Sequence, residues 1–232
     1  MKLSLVEVIV LKQEDAQAAE SNGADRLELV SAMSEGGLTP SYGTIKTVVK
    51  SVTIPVMVMI RPHSYSFVYR KKEWDAMKED IKMVKELGAA GIVFGALTDH
   101  KTVDNELLAM VVEEAKGLSV TFHRAIDETD PLETYKSLCQ SPFKMDRILT
   151  SGGKRSAPEA LDTIQKMIAV SQETQSHPII IPGAGLNLDN IEFIHKKLRA
   201  KEYHFGSAVR IDGDFNNRIC GDAIQRIKSL VG

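Results

Sequence analysis

Eight short apolar runs, each followed by a stretch with helical spacing, constrain the fold of this chain more than any other feature. The runs cover residues 5–10, 25–30, 55–61, 91–95, 118–124, 146–151, 178–183 and 202–207. Strict alternation of strand and helix predicts repeated βαβ units with a parallel sheet, and eight units in about 250 residues are what a closed (β/α)8 barrel needs. We therefore predict an α/β fold, a (β/α)8 TIM barrel with a parallel closed sheet, as a single domain over residues 1–232.

Composition and charge limit the number of domains and the kinds of partner that this chain can have. The 232 residues are 43% hydrophobic, which suffices for one large core, and no linker or low-complexity tract divides the chain. The 29 basic and 31 acidic residues give a formal net charge of −2, so the charge favours neither nucleic acid nor an anionic membrane as partner. Met1 to Ser4 run straight into a strand containing Glu7, unlike a signal peptide, and no apolar stretch reaches about 18 residues. We therefore expect a cytoplasmic protein.

Alternation along the predicted strands decides which side chains enter the barrel. In the first strand the valines at alternate positions form the apolar face expected against helices, so Glu7 points inward. The same argument turns Glu28, Arg61 and His123 inward from the second, third and fifth strands. Such barrels keep their chemistry where the strands end. We therefore predict one cluster of these four residues at the C-terminal mouth, with Glu28 and Arg61, on adjacent strands, as an ion pair.

Two interpretations of this cluster are open. Carboxylates beside an arginine and a histidine can have their pKa values pushed apart, as acid and base pairs require. This favours an active site with His123 or Glu7 as acid or base and Arg61 as anion clamp. The alternative is a buried polar plug, in which Glu7, Glu28 and Arg61 only fix strand register and His123 is a core histidine bonded to a neighbour.

Glycine-rich turns follow the last three predicted strands, at residues 150–154, 182–185 and 205–208. Loops after strands seven and eight commonly build the phosphate site of such barrels, because glycine lets backbone N–H groups approach an anion. We therefore predict that the barrel mouth binds a small molecule or anion. The candidate anion-binding residues are Gly152, Gly183, Gly185, Gly206 and Ser207.

Several long motifs, in order along the chain, resemble the CutC family, which is named for copper homeostasis. They are GADRLEL at 23–29, SEGGLTPS at 34–41, VMIRP at 58–62, VFGAL at 93–97, TFHRA at 121–125 and LTSG at 149–152. The resemblance extends over residues 5–208. It implies a (β/α)8 barrel in the cytoplasm, a homodimer, and a role in copper handling or tolerance with copper as the bound ion.

The chain departs from the family pattern at two positions. Many members carry a cysteine in the first strand and another after the Glu-Leu of the second strand, and these cysteines are the proposed copper(I) ligands. Here Ile9 and Val30 stand at the matching positions. Because copper(I) prefers soft thiolate or thioether ligands, we predict no metal site at these positions. Cys139 and Cys220 have no C-x-x-C partner and are predicted to be structural.

Two classes of function follow. The first is a copper homeostasis protein that binds the metal or supports its trafficking. The second is a TIM-barrel enzyme that acts on a small phosphorylated or carboxylated metabolite at the barrel mouth. Fold alone does not choose between them, because unrelated functions share this architecture.

Overall fold

A computed structural model describes residues 4–232 and shows eight strands that alternate with eight α-helices in that part of the chain. Met1 to Leu3, on which the prediction about a signal peptide partly depends, lie outside the described residues. The strands are Leu5–Val10 (β1), Arg26–Leu29 (β2), Val56–Met59 (β3), Gly91–Phe94 (β4), Ser119–Phe122 (β5), Arg147–Thr150 (β6), Ile179–Pro182 (β7) and Glu202–Phe205 (β8). The helices are Gln13–Ser21 (α1), Tyr42–Ser51 (α2), Lys71–Glu86 (α3), Asn105–Glu114 (α4), Pro131–Cys139 (α5), Leu161–Glu173 (α6), Ile191–Leu198 (α7) and Gly221–Val231 (α8).

The strands form one parallel sheet in which each strand pairs with its neighbours in the sequence. The hydrogen-bonded order runs from β7 down to β1 and on to β8. β7 and β8, the two ends of this order, also lie side by side, so the sheet is a nearly closed barrel. The predicted (β/α)8 TIM barrel is confirmed. Because the strands are parallel, all their C-terminal ends meet at one mouth.

Seven of the eight strands are shorter than the apolar runs that predicted them. Arg61 and His123 lie past the last paired residues of β3 and β5, where the chain leaves the sheet. Both residues are nevertheless buried, as is Ser151 after β6. The apolar and alternating pattern indicates burial, and burial continues past the assigned strand ends into the loops of the mouth.

The strand faces separate two apolar clusters. Val6, Val8 and Val10 are fully buried in the large outer core, against the helices. A smaller cluster fills part of the lumen and consists of Ile9, Val30, Met57, Met59 and Val93. Since successive side chains of a strand point to opposite faces, this separation confirms the predicted strand registration.

Charged residues fill the deeper part of the lumen. Arg26 lies between Glu7 and Glu202, and Arg147 also donates to Glu202 from the other side. Burial raises the pKa of Glu7, but the Arg26 guanidinium and His204 lower it by more, to about 2. Glu7 is therefore ionised, and cations and carboxylates alternate in this layer. Glu7 thus has the register-fixing contacts that the polar-plug interpretation describes.

We expect Arg26→Met to destabilise the protein by about 3–5 kcal/mol, because it removes the buried cation that Glu7 and Glu202 share and leaves them only Arg147 and His204 as partners. Urea unfolding at pH 7 measures this loss, which should shrink as the pH falls and Glu7 takes up a proton in the variant. Lys82→Met is the control, since it breaks only an exposed pair with Glu79 and should leave the urea midpoint nearly unchanged. Equal losses in the two variants would show that the lumen pairs do not hold the barrel together.

Candidate functional site

A cavity of about 600 Å³ opens at the C-terminal mouth of the barrel. Glu28 lines it from β2, and Arg61 and His123 line it from the chain just after β3 and β5. Glu7 lies one layer deeper, because Ile9, two residues further along β1, is the register partner of Glu28. The structure therefore brings three of the four predicted residues to one cavity and places the fourth beneath it.

His204 connects the deeper layer with the cavity. Its Nδ1 atom lies 2.8 Å from Glu7 Oε1, and its Nε2 atom lies 3.6 Å from Glu28 Oε2. Burial lowers the pKa of His204, but the carboxylates of Glu28 and Glu7 outweigh burial and raise it. Burial raises the pKa of Glu28 to about 7, with His204 opposing the rise and Glu7 adding to it. Of the two carboxyls, Glu28 is the one that changes charge near neutral pH.

His204 stands at the end of the last predicted strand but is missing from the predicted cluster of four residues. The signal for it was present in β8, where Tyr203 and Phe205 belong to the outer core, so that His204 turns inward. The same alternation that selected Glu7 in β1 therefore selects His204 in β8. The two residues are also register partners across the β1–β8 pair.

The predicted ion pair between Glu28 and Arg61 is wrong. Glu28 faces His204, whereas Arg61 donates through Nη1 to the main-chain carbonyl oxygens of residues 35–37, each at 3.2 Å. The register partner of Glu28 on β3 is Met57, four residues before Arg61. Arg61 therefore lies further towards the mouth, where the loop after β2 offers carbonyl groups. Neighbouring strands bring two side chains together only where their register also matches.

His123 is a neutral histidine with a fixed orientation. Its ring lies over Gly95, where an added Cβ would be 2.4 Å from Nδ1. The Ala125 N–H donates to Nδ1 over 3.2 Å, so the neutral ring carries its proton on Nε2. Burial, and secondly the charge of Arg61, lower the pKa of His123 to about 3. The Phe67 ring packs on both groups, 4.8 Å from the His123 ring and 4.7 Å from Arg61 Cζ.

Three residues of the cavity each have one buried polar atom that finds no hydrogen-bond partner within residues 4–232. These atoms are Glu28 Oε1, Arg61 Nε and His123 Nε2. Buried polar groups in folded proteins are nearly always hydrogen-bonded, so three orphaned atoms around one cavity point to a ligand that would pair with them. Glu7 differs, since both of its carboxylate oxygens have partners in the protein.

The glycine turn after β6 is occupied by a side chain of the protein. The N–H groups of Ser151 and Gly153 donate to the Asp127 carboxylate, and the Thr150 hydroxyl donates to it as well. The Gly152 N–H donates to Thr150 Oγ1 over 2.8 Å. The prediction that Gly152 binds an external anion does not fit this arrangement, because its N–H is used and an internal carboxylate already fills the turn.

The predicted anion-binding residues in the turns after β7 and β8 differ in their contacts. Gly183 donates its N–H to a main-chain carbonyl of β6 and leaves room first for Leu149, whose Cδ1 would be 2.7 Å from an added Cβ, and then for His204 at 3.3 Å. Gly183 therefore serves packing, and its N–H is not free for an anion. Gly185, Gly206 and Ser207 line the cavity, and their binding of an anion stays a prediction.

Within residues 4–232, one group of side chains has the composition of a metal site. Glu7, Glu28 and His204 each offer a ligand atom, and these atoms lie within 4.8 Å of one another. Carboxylate and imidazole ligands suit zinc or manganese better than copper(I). Ile9 and Val30, at the family's thiol positions, belong to the apolar cluster of the lumen. The residues that are able to hold a metal therefore differ from the thiol pair that the resemblance implies.

Glu28 should be the glutamate that titrates near neutral pH. In protein labelled with ¹³C at glutamate carboxyl groups, one resonance should titrate near pH 7 and be missing from Glu28→Gln. Because the pKa is higher in the folded than in the unfolded chain, ionisation of Glu28 should reduce stability as the pH rises from about 4.5 towards 7. Glu79→Gln, at an exposed helix position, should leave the neutral titration in place. Titration of every glutamate below about pH 5.5 would contradict this assignment.

Comparison with known sequences identifies relatives of nearly the whole chain. The profile of the CutC family matches residues 4–209. A copper homeostasis protein cutC homolog from Homo sapiens is 42% identical over 201 residues, which are 86% of this chain and 72% of that protein. A family protein CutC from Pasteurella multocida is 40% identical over 208 residues, covering 89% of this chain and 83% of that protein.

Solved structures agree with the fold. The crystal structure of CutC from Streptococcus agalactiae is similar with a TM-score of 0.79 at 29% identity, covering 88% of this chain and 98% of that chain. A phosphoribosyl anthranilate isomerase from Thermotoga maritima has a TM-score of 0.67 at 14% identity, covering 99% and 98% of the two chains, and shows the fold alone. None of the helices within residues 4–232 has both the length and the apolar character needed to span a bilayer.

Proposed function

This chain belongs to the CutC family, and on that basis we propose that it serves copper homeostasis by proton-transfer chemistry on a small molecule at the barrel mouth. The names of the relatives supply the first half of this proposal, and the cavity supports the second half. Glu28 is the group that gives and takes the proton.

The observation that carries the proposal is the Glu28 carboxyl. It is 2% exposed, lines the cavity, has one oxygen without a partner, and has a pKa that burial raises to about 7. General acid–base catalysis is most efficient when the pKa lies near the operating pH. Burial raises the pKa of Glu7, but Arg26 and His204 bring it to about 2, and burial with the Arg61 charge brings that of His123 to about 3. Neither of these two exchanges protons near neutrality.

The deeper residues act as positioning residues in this proposal. Arg26 holds Glu7, Glu7 accepts from His204 Nδ1, and His204 presents Nε2 towards Glu28. The His204 imidazole therefore lies beside Glu28, the group that must alternate between charged and neutral forms. Burial lowers the pKa of His204, but the carboxylates of Glu28 and Glu7 outweigh burial and raise it. The imidazole stabilises Glu28 when it is ionised, so that the proton can leave.

Solvent deuterium exchange tests this function with mixtures of candidate substrates. The protein is incubated in D₂O with pools of small carboxylated and phosphorylated metabolites, and mass spectrometry follows deuterium uptake and turnover. We expect exchange into at least one compound with wild type, and a loss of about 100-fold or more with Glu28→Gln, as for other acid–base residues. Glu79→Gln should exchange like wild type. Equal rates in wild type and Glu28→Gln, or no exchange with any pool, would refute the proposal.

Direct binding of copper is a second candidate function. It is favoured by relatives named for copper homeostasis and by the thioethers of Met33 and Met59, which line the cavity. Thioethers are soft ligands, as copper(I) requires. In this candidate the protein would hold the ion at the mouth rather than at the family's thiol positions.

We expect reduced protein to bind copper(I) weakly, because Ile9 and Val30 replace the thiols implied by the family. Competition with a chromophoric copper(I) chelator measures this affinity. Replacing both free cysteines, Cys139→Ser and Cys220→Ser, should change it little, since the cavity is lined by other residues of the described chain. Tight stoichiometric binding that the two serines abolish would show that these cysteines form the metal site.

We also propose that the protein is a cytoplasmic homodimer, as the resemblance to the CutC family implies. Light scattering coupled to size-exclusion chromatography tests the assembly and should give twice the mass of one chain. Fractionation of cells that carry a tagged chain tests the location.

A further inference from the structure

Arg61 is a buried cation that contacts no carboxylate within the described part of the chain. It is 7% exposed, and its hydrogen bonds go to main-chain carbonyl oxygens of residues 35–37 and of Ser64. The fully buried arginines elsewhere in the lumen and core differ, since Arg26 contacts two carboxylates and Arg210 contacts Asp15. Within the described residues 4–232, Arg61 makes no such pair. Buried charges are normally paired, so a ligand that supplies a negative charge would complete this environment.

The neighbouring hydroxyl does not supply that charge. Tyr69 lies beside the guanidinium, and burial raises its pKa to about 12 although the Arg61 charge opposes the rise. The phenol is therefore neutral at any physiological pH. Arg61 also packs on the Phe67 ring, which contributes an attraction to a cation and no full charge.

We propose that Arg61 Nε–H and His123 Nε2–H together bind one oxyanion group of the substrate, a carboxylate or a phosphate. Both groups are donors without an acceptor, both are buried, both line the cavity, and both pack on the same ring, that of Phe67. The assignment rests on the proposed function, because it names the anchor of the substrate whose proton Glu28 moves.

The proton on His123 Nε2 is what makes the second donor. Since the Ala125 N–H occupies Nδ1, a neutral ring has its single hydrogen on Nε2 and can only donate there. A charged guanidinium and a neutral imidazole N–H then converge on one oxyanion, and such charge-assisted hydrogen bonds are among the stronger ones in proteins.

The other cations of the cavity are less suited to this role. Arg124 pairs with Asp127 at 2.9 Å, and Lys154 is exposed on the rim. Glu35, Asp127 and Glu128 also line the cavity, and the charge of Asp127 is offset by Arg124. Arg61 is therefore the buried cation of the cavity wall that is not already paired with a carboxylate of residues 4–232.

Titration with two simple anions tests the anchor. Inorganic phosphate and acetate are added separately at constant ionic strength, with chloride as the reference, and binding is followed by calorimetry and by the rise in melting temperature. At least one anion should bind wild type, and the preferred one identifies the oxyanion class. Arg61→Lys and His123→Gln should each weaken binding about tenfold or more, as expected for a lost hydrogen bond to a charged group. Lys154→Gln, on the rim, should weaken it by less than about threefold.

Gly95→Ala is the independent variant should Arg61→Lys fail to fold. Its Cβ would be 2.4 Å from His123 Nδ1 and must move the imidazole, so it should weaken anion binding like His123→Gln. Glu28→Gln should keep the anion while losing deuterium exchange, which separates the anchor from the proposed chemistry. Equal affinity in wild type, Arg61→Lys and His123→Gln, or binding of neither anion by wild type, would overturn the anchor even if deuterium exchange occurs.

Discussion

The contact of Arg26 with Glu7 and Glu202 is the interaction on which the rest of the site depends. It joins β2 to β1 and β8 in the deepest polar layer, where isolated charges would be strongly unfavourable. By keeping Glu7 ionised it fixes the acceptor for His204 Nδ1, and His204 in turn faces Glu28. The charge state of Glu28, which lines the cavity, therefore depends first on its own burial, which raises its pKa, and then on His204 and on the ion pair one layer below.

Two glycines next to the lumen leave space for the rings of His123 and His204. Gly95 on the chain after β4 leaves space for His123, and Gly183 after β7 leaves space for Leu149 and, at a slightly longer distance, for His204. Because a barrel of eight strands has an interior just wide enough for side chains to fill, these positions without a Cβ help the rings to fit. These glycines serve packing at the site. Glycine turns at a barrel mouth suggest anion binding, but in this chain these two glycines have a packing role instead.

Replacement of the family's two thiol positions changes the chemistry that the lumen offers. Ile9 and Val30 extend an apolar cluster with Met57, Met59 and Val93, directly beside the polar layer. Soft anionic ligands are thereby absent from the place where the resemblance puts them. The mouth also presents a carboxyl whose pKa burial raises to about 7, a neutral imidazole N–H, and a guanidinium that no carboxylate of residues 4–232 contacts. In the proposed function these groups serve proton transfer on an anionic compound.

The sequence by itself determined the barrel and the inward direction of Glu7, Glu28, Arg61 and His123, because the two-residue period of a strand and the alternation of elements are local properties. Tertiary structure decided the partners. Glu28 meets His204 rather than Arg61, and Glu7 bonds to His204 across 197 positions of sequence, since strand register and barrel closure are long-range properties. It also decided that Asp127 fills the turn after β6, because a loop's path, unlike a strand's alternation, follows no period that the sequence displays.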